Sequence, residues 1–270
     1  MGQMLEDPIT MLLEVGLGWV GLVLFVALLL ASEIGYQLGV RRAHGMGTDD
    51  RTLSAVSTLS GAMLGLVAFL LALTLNFAEN RYETRRLEVV HEANAIGTAW
   101  LRARLVGGTE GDAIAGMISD YTRVRLEYST TEGRERAADL SQRTSNLQTE
   151  IWQMLAPAAR SNPTPVMATL VVSLNDMFDA SLVQHFAFVS RVPSSVSWML
   201  LFGSMLAMGA MGYQFGQAGR RQVVLTGLLL LMWTGALVLT IDFNEPRIGL
   251  LRVDTQPLIW TLQGFGQPVN

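Results

Sequence analysis

Residues 52–78 read TLSAVSTLSGAMLGLVAFLLALTLNFA, a stretch without a single charge. At a rise of about 1.5 Å per residue, a helix of that length crosses a hydrocarbon core of roughly 30 Å. Working outward, residues 15–32 form an apolar partner before it, and 192–219 with 222–241 form a second apolar pair towards the C-terminus. Hydrocarbon offers no partner to a backbone N–H or C=O, so spanning segments close their hydrogen bonds internally, as helices. The predicted fold class is all-α: an integral membrane protein with four transmembrane helices in two hairpins and an inserted extramembrane helical bundle. The expected divisions are an N-terminal flank 1–14, a first transmembrane hairpin 15–78, an extramembrane helical domain 79–191, a second transmembrane hairpin 192–241 and an interfacial C-terminal tail 242–270.

Composition agrees. Half of the residues are apolar and 16% are charged, against a usual charged share of about a quarter. The chain has no cysteine, which excludes disulfides, thiol nucleophiles and thiolate metal sites. The N-terminus carries Glu6 and Asp7 but no basic residue, so the first apolar run reads as a retained span and not as a cleaved signal. Glu6 also stands where a myristoylation pattern needs Ser or Thr. Orientation is read from Arg41, Arg42 and Arg51 in the first short loop and Arg220 and Arg221 in the second. The positive-inside rule makes both loops cytoplasmic and puts the termini and residues 79–191 on the other side.

The second span carries a pattern. Ser54, Ser57, Gly61, Gly65, Ala68 and Ala72 recur at steps of three and four, and Asn76 continues the same face to the membrane edge. Small residues permit close helix approach and equally leave room for an ion in a pore. Both readings stay open, and GxxxG recurs at Gly212 and Gly216. Glu33 ends the first span at the interface or, if the helix continues to Val40, lies inside it as a functional carboxylate.

Past Asn76 no helix breaker occurs until Gly107, so the second span is expected to continue as one long helix with Leu87, Val90, Asn94, Gly97, Leu101 and Leu105 as its inward stripe. Three further helices are predicted. One is opened at Thr109 by a capping box with Asp112, one runs from Glu132 to Arg160, and one from Thr164 to Ser190 leads to Pro193 and a Ser194 cap. The tail, broken at Pro246 and Gly249, should reform a short amphipathic helix after Pro257 that lies along the interface or packs on the helical domain.

Chemistry is sparse. Glu88, His91 and Glu92 give an ExxH spacing, but Asp176, Asp179 and His185 do not supply a matching set from a second helix, so no metal site is predicted and a buried polar network of His91, Asn94, Asn175 and His185 is expected instead. No GxSxG, P-loop, GxGxxG or HExxH occurs, so neither catalytic residues nor a cofactor are assigned, and no enzyme is predicted. Acidic residues outnumber basic ones across 79–191 and no basic stripe appears, which argues against nucleic acid as a partner.

Three segments resemble the bacterial bestrophin-like domain membrane proteins: RYETRRLEVVHEANAIGTAWLR at 81–102, LNDMFDASLVQ at 174–184 and IDFNEPRIGLLRVDTQPL at 241–258. The resemblance singles out Arg81, Tyr82, Arg86, Glu92, Asn94, Gly97, Thr98, Arg102, Asn175, Asp179, Pro246, Arg247 and Gly249. The chain departs from the family pattern before the proline, where Asn244 and Glu245 replace Asp-Arg. Bestrophins are pentameric anion channels with a pore along their second spans and a cytosolic helical domain, an orientation opposite to that of the arginine loops. The resemblance implies a multi-pass protein of the bacterial inner membrane, partnered by the lipid bilayer and by copies of itself. Two functions follow. One is a homo-oligomeric channel for small anions, with Arg81, Arg85, Arg86 and Arg102 as a charged mouth. The other is a non-conducting scaffold or sensor whose helical domain binds a partner.

Overall fold

A computed structural model describes residues 16–46, 49–247 and 249–267. The N-terminal flank 1–14 and Gly47 lie outside the described residues. The described residues form helices α1 (Leu17–Met46), α2 (Asp50–Val106), α3 (Gly108–Thr130), α4 (Arg134–Ser161), α5 (Pro165–Val189), α6 (Ser194–Gln217), α7 (Val223–Asn244) and α8 (Gln256–Gly264), with no strand among them. The fold is all-α, and four helical stretches are long and apolar enough to cross a membrane: Leu17–Gly45, Asp50–Val106, Pro165–Gln217 and Val223–Asn244. The chain divides into two compact units, residues 1–80 with 191–251 and residues 81–190 with 252–270.

The membrane unit is built on the packing of α1 against α6. A Cβ placed on Gly35 would stand 1.9 Å from the Gly209 carbonyl oxygen, and one on Gly39 would stand 2.2 Å from that of Tyr213. From the other side, a Cβ on Gly212 would stand 2.0 Å from the Ser32 oxygen and one on Gly216 would stand 2.2 Å from the Tyr36 oxygen. The two backbones are therefore in direct contact, a distance only glycine permits and one that supplies dispersion where lipid removes the hydrophobic driving force. Residue numbers rise together along this contact, so α1 and α6 are parallel. The C-terminal ends of α1 and α6, with Arg41 and Arg42 in one and Arg220 and Arg221 just after the other, consequently lie at the same end of the unit. Leu28, Val67, Leu71, Leu200, Met208, Leu230 and Trp233 fill the remaining core, with Trp233 Nε1 donating to Ser204 Oγ at 2.9 Å.

In the helical unit, α2 stops at Gly107 and Gly108, whose φ angles of 63° and 65° suit glycine, and the chain turns into α3. Gly111 then packs onto α2 so closely that a Cβ would meet the Ala103 oxygen at 2.6 Å. No side chain caps α3; Asp112, expected in a capping box, pairs with Arg104 instead. Helix α5 does carry its cap, with the Met167 N–H donating to Thr164 Oγ1 at 3.2 Å and Pro165 at the first helical position. Helix α6 opens at Pro193, without the Ser194 side-chain cap.

The buried stripe of α2 here is Arg85, Val89, Glu92, Ile96, Ala99 and Ala103. The stripe expected inside faces out: Leu87 is 57% exposed, Leu101 64% and Leu105 69%. The buried stripe carries the paired charges Arg85 and Glu92, and its alanines let α2 approach its neighbours closely whereas leucines at the same positions would hold them apart. The C-terminal tail divides. Residues up to Leu251 belong to the membrane unit, while α8 joins the helical unit, burying Leu258 and Leu262 and stacking Phe265 on Trp100 at 4.6 Å. Of the two places expected for this helix, it takes the one on the helical domain.

Candidate functional site

The small-residue face of α2 is open. Ser57, Gly61, Gly65, Ala68, Ala72 and Asn76 are all exposed, and a Cβ on Gly61 or Gly65 would meet nothing within 4 Å. The opposite side of the same helix is the packed one, through Ser60, Val67, Leu71, Thr74 and Ala78. Ser60 Oγ donates to the Ala210 carbonyl at 3.2 Å, and Ser57, at the edge of the open face, accepts from Gln214 Nε2 at 3.1 Å. Asn76 accepts from Asn80 at 3.1 Å. The GxxxG of the third span and that of the second thus have different environments: Gly212 and Gly216 are consumed within the subunit, and Gly61 and Gly65 are not.

The four arginines of the expected mouth are also unlike one another. Arg85 is 0% exposed. Its Nε donates to the Ala187 carbonyl at 3.1 Å and Nη2 to that of Ser190 at 2.7 Å. A guanidinium there satisfies carbonyls at the C-terminal end of α5 and complements its dipole. It clamps the end of that helix and is closed off from solvent. Arg86 is exposed and pairs with Glu83 at 3.4 Å, Arg102 donates to the Thr169 carbonyl at 2.9 Å, and Arg81 is partly exposed.

Four positions singled out by the resemblance, Asn94, Thr98 and Arg102 of α2 and Asp179 of α5, come together in a groove of about 360 Å³, with Asp176 also on the α5 wall. His91 lies at its edge, 65% exposed and 3.6 Å from Glu88. Asn175 is exposed, and Gly97 lies under α8, where Thr261 Cγ2 would stand 4.0 Å from a Cβ. The expected buried network of His91, Asn94, Asn175 and His185 therefore does not form.

A different one does. Glu92, 0% exposed, holds Arg125 through a carboxylate–guanidinium pair. Arg125 Nη2 also donates to Gln184 Oε1 at 2.5 Å, Gln184 Nε2 donates to Ser129 Oγ at 3.0 Å, and the guanidinium lies 4.7 Å from the Tyr128 ring centre. His185 is bonded to the Tyr128 hydroxyl at 2.8 Å. Burial pulls the Arg125 pKa down, but the Glu92 carboxylate and the nearby tyrosines raise it further than burial lowers it. Burial pushes the Tyr121 hydroxyl up to about 12 against the opposing pull of Arg125. Arg125, Gln184 and Tyr128 escaped the sequence reading. The signal was present, since Arg125 continues the stripe Ile114, Ile118, Tyr121 of α3, where a charge can be buried only with a partner.

The Pro246–Arg247–Gly249 segment closes the membrane unit. Asp242 accepts from the backbone N–H of Leu250 at 3.0 Å and of Leu251 at 3.2 Å. Gly249, at φ 129°, is held against that carboxylate, where a Cβ would stand 1.9 Å from Oδ1. The two departures from the family pattern have partners of their own: Asn244 Oδ1 accepts from the Val192 N–H at 2.7 Å, and Glu245 pairs with Arg191 at 2.9 Å.

The profile of the Bestrophin-like domain matches residues 26–258. The fold is similar to that of a bacterial bestrophin homologue from Klebsiella pneumoniae, known from its crystal structure, with a TM-score of 0.65 at 13% identity over 93% of this chain and 99% of that one. No curated protein matches the sequence. With the profile spanning most of the chain, including the α2 segment, the groove and the Pro246 turn, the protein belongs to the Bestrophin-like domain family.

Proposed function

We propose that the chain is one subunit of a homo-oligomeric ion channel in which the small-residue face of α2, from Ser57 to Asn76, lines the pore. The observation that carries this reading is the contrast between the two GxxxG pairs. Gly212 and Gly216 are packed to backbone contact within the subunit, while Gly61 and Gly65 lie on a face that no described residue of the same chain covers. A face of that kind on a spanning helix leaves space at the centre of a ring of copies. Association of copies is supported separately in the helical unit, where Leu87, Leu101, Leu105, Leu182 and Phe186 are each more than half exposed. Apolar surface of this extent on a polar unit marks an interface with protein.

Because Arg85 is buried and Arg102 donates to the Thr169 carbonyl, an anion preference rests on Arg81 and Arg86, and Glu79 and Glu83 are exposed on the adjoining turns. The sign of selectivity follows from the balance of these four groups. Planar-bilayer recording of the purified protein tests the proposal. Unitary currents with a reversal potential that shifts in asymmetric salt support it, and a silent protein of confirmed oligomeric state leaves the non-conducting scaffold as the function.

A further inference from the structure

We infer that the groove between α1 and the α6–α7 loop is a binding site for the headgroup of a phospholipid that carries both a phosphodiester and a primary amine. The inference rests on the reading of residues 1–80 and 191–251 as a membrane unit and is independent of conduction. The groove holds about 350 Å³ and changes character along its length. Glu33, Tyr36, Arg221 and Gln222 line the end next to the loop, and Leu29 and Gly227 line the end further along the helices.

The polar end carries one carboxylate and one guanidinium, both within reach of a ligand. Glu33 and Arg221 pair at 2.5 Å, yet their side chains remain 38% and 56% exposed. The Arg221 guanidinium lies 4.9 Å from the centre of the Tyr36 ring, which holds it against α1 at the groove wall. Gln37 Nε2 donates to the second Glu33 oxygen at 3.3 Å, which fixes the carboxylate in place. A cationic fork and a fixed anion side by side match a zwitterion. The phosphodiester takes the guanidinium donors and the ammonium donates to Glu33, replacing one charge-assisted contact by two.

The same chemistry discriminates among lipids. A quaternary ammonium has no N–H to offer Glu33, and a headgroup with only a phosphodiester brings negative charge against that carboxylate without neutralising it. The apolar end accepts the glycerol and the first acyl carbons. There Gly227 leaves room, since a Cβ on it would meet nothing within 4 Å.

Native mass spectrometry of the purified full chain, loaded with phosphatidylethanolamine, phosphatidylcholine or phosphatidylglycerol of identical acyl chains, tests the site. The expected result is retention of phosphatidylethanolamine about ten-fold above either competitor, equivalent to one decade in Kd. Glu33→Gln should bring it down to the phosphatidylcholine level. Gly227→Leu fills the apolar end without touching a charge, so it should abolish the preference with thermal unfolding unchanged, and it decides the case if Glu33→Gln fails to fold. Equal retention of the three lipids by the parent protein overturns the proposal, as does an undiminished preference in Gly227→Leu. Displacement of the lipid by soluble glycerophosphoethanolamine at low millimolar concentration would overturn the lipid assignment in favour of a free ligand.

Discussion

Gly212 of α6 sits against Ser32 of α1 at a separation where a methyl group would stand 2.0 Å from the Ser32 carbonyl oxygen and 3.1 Å from the Tyr36 nitrogen. Neither atom can move away cheaply, because both are backbone. Gly212→Ala should therefore push the helices apart and lower stability by at least the ~1–3 kcal/mol typical of over-packing. Thermal unfolding in detergent measures the loss. A melting temperature equal to that of the parent protein would show that α1 and α6 do not meet here.

Gly61→Leu and Gly65→Leu should behave in the opposite way. Their side chains enter open space in the subunit, so monomer unfolding should change by no more than the ~0.5 kcal/mol usual for surface changes. Oligomer size or conductance should change instead. Size-exclusion chromatography with light scattering, alongside bilayer recording, separates these effects. A Gly65→Leu protein identical to the parent in assembly, current and stability would place this face against lipid.

Arg125 should be hard to replace. Arg125→Met leaves the Glu92 carboxylate fully buried without its partner, at a cost of about 3–5 kcal/mol for a broken buried pair. Replacing both, as Arg125→Met with Glu92→Leu, should recover most of that loss. Denaturant unfolding of the four proteins in the cycle checks both statements. Additive losses in the double variant would mean that the two side chains do not depend on each other.

Tyr121 gives the helical unit a pH dependence on the alkaline side. Its hydroxyl titrates at about 12 in the folded chain, against about 10 when unfolded. The unfolded chain therefore releases this proton first, and the contribution, complete below pH 10, is lost as pH rises towards 12, at most about 1.4 kcal/mol per unit. Stability measured by circular dichroism between pH 9 and 12 should fall less steeply in Tyr121→Phe. Parallel curves for the two proteins would remove Tyr121 as the cause.

Arg85→Gln should cost stability, with no direct effect on ion preference. Its guanidinium bonds to the carbonyls of Ala187 and Ser190, and a hydrogen bond to a charged group contributes about 1.5–3 kcal/mol. Arg81→Gln with Arg86→Gln should do the reverse, shifting the reversal potential away from anions with little loss of stability. A reversal potential moved by Arg85→Gln in a protein of parental stability would restore this residue to the mouth.

The fold was largely legible because its decisive signals are local. A charge-free run of 27 residues between Arg51 and Glu79 has few structural options, and Gly107 marks the end of α2 where it occurs. The pairing of helices was less legible. Gly35 and Gly39 also form a GxxxG, but only the partner helix reveals that they pack on Gly209 and Tyr213 while Gly212 and Gly216 pack on Ser32 and Tyr36, since sequence spacing fixes a face and not what the face meets. The same limit turned the α2 stripe around. Leu87, Leu101 and Leu105 outweigh Ala99 and Ala103 in hydropathy, yet the alanine side is the one that α3 can approach. At the candidate site, helical spacing alone puts Ser57 to Asn76 on one face of α2, whereas Arg85 and Arg86 are adjacent in sequence and about 100° apart on the helix, so one is buried and the other is not.

Topology remains a proposal that follows from the arginine loops. Parallel packing of α1 and α6 puts Arg41 and Arg42 at the same end of the membrane unit as Arg220 and Arg221, in keeping with a shared arginine signal. A single cysteine at Thr109 in this cysteine-free chain should label with an impermeant reagent in intact cells, and one at Arg220 should not. Labelling at Arg220 alone would reverse the orientation and place the helical unit on the cytoplasmic side.

The pore assignment to α2 is tested most directly by current through single-cysteine channels. Ala68→Cys and Ala72→Cys lie on the open face, and Val224→Cys, at a site 74% exposed on α7, serves as a control on another helix. Addition of a small charged thiol reagent during planar-bilayer recording should reduce the unitary current of the two α2 variants and leave the control unchanged. Currents that persist at full amplitude in both α2 variants after confirmed modification, or that fall only in the control, would contradict the assignment.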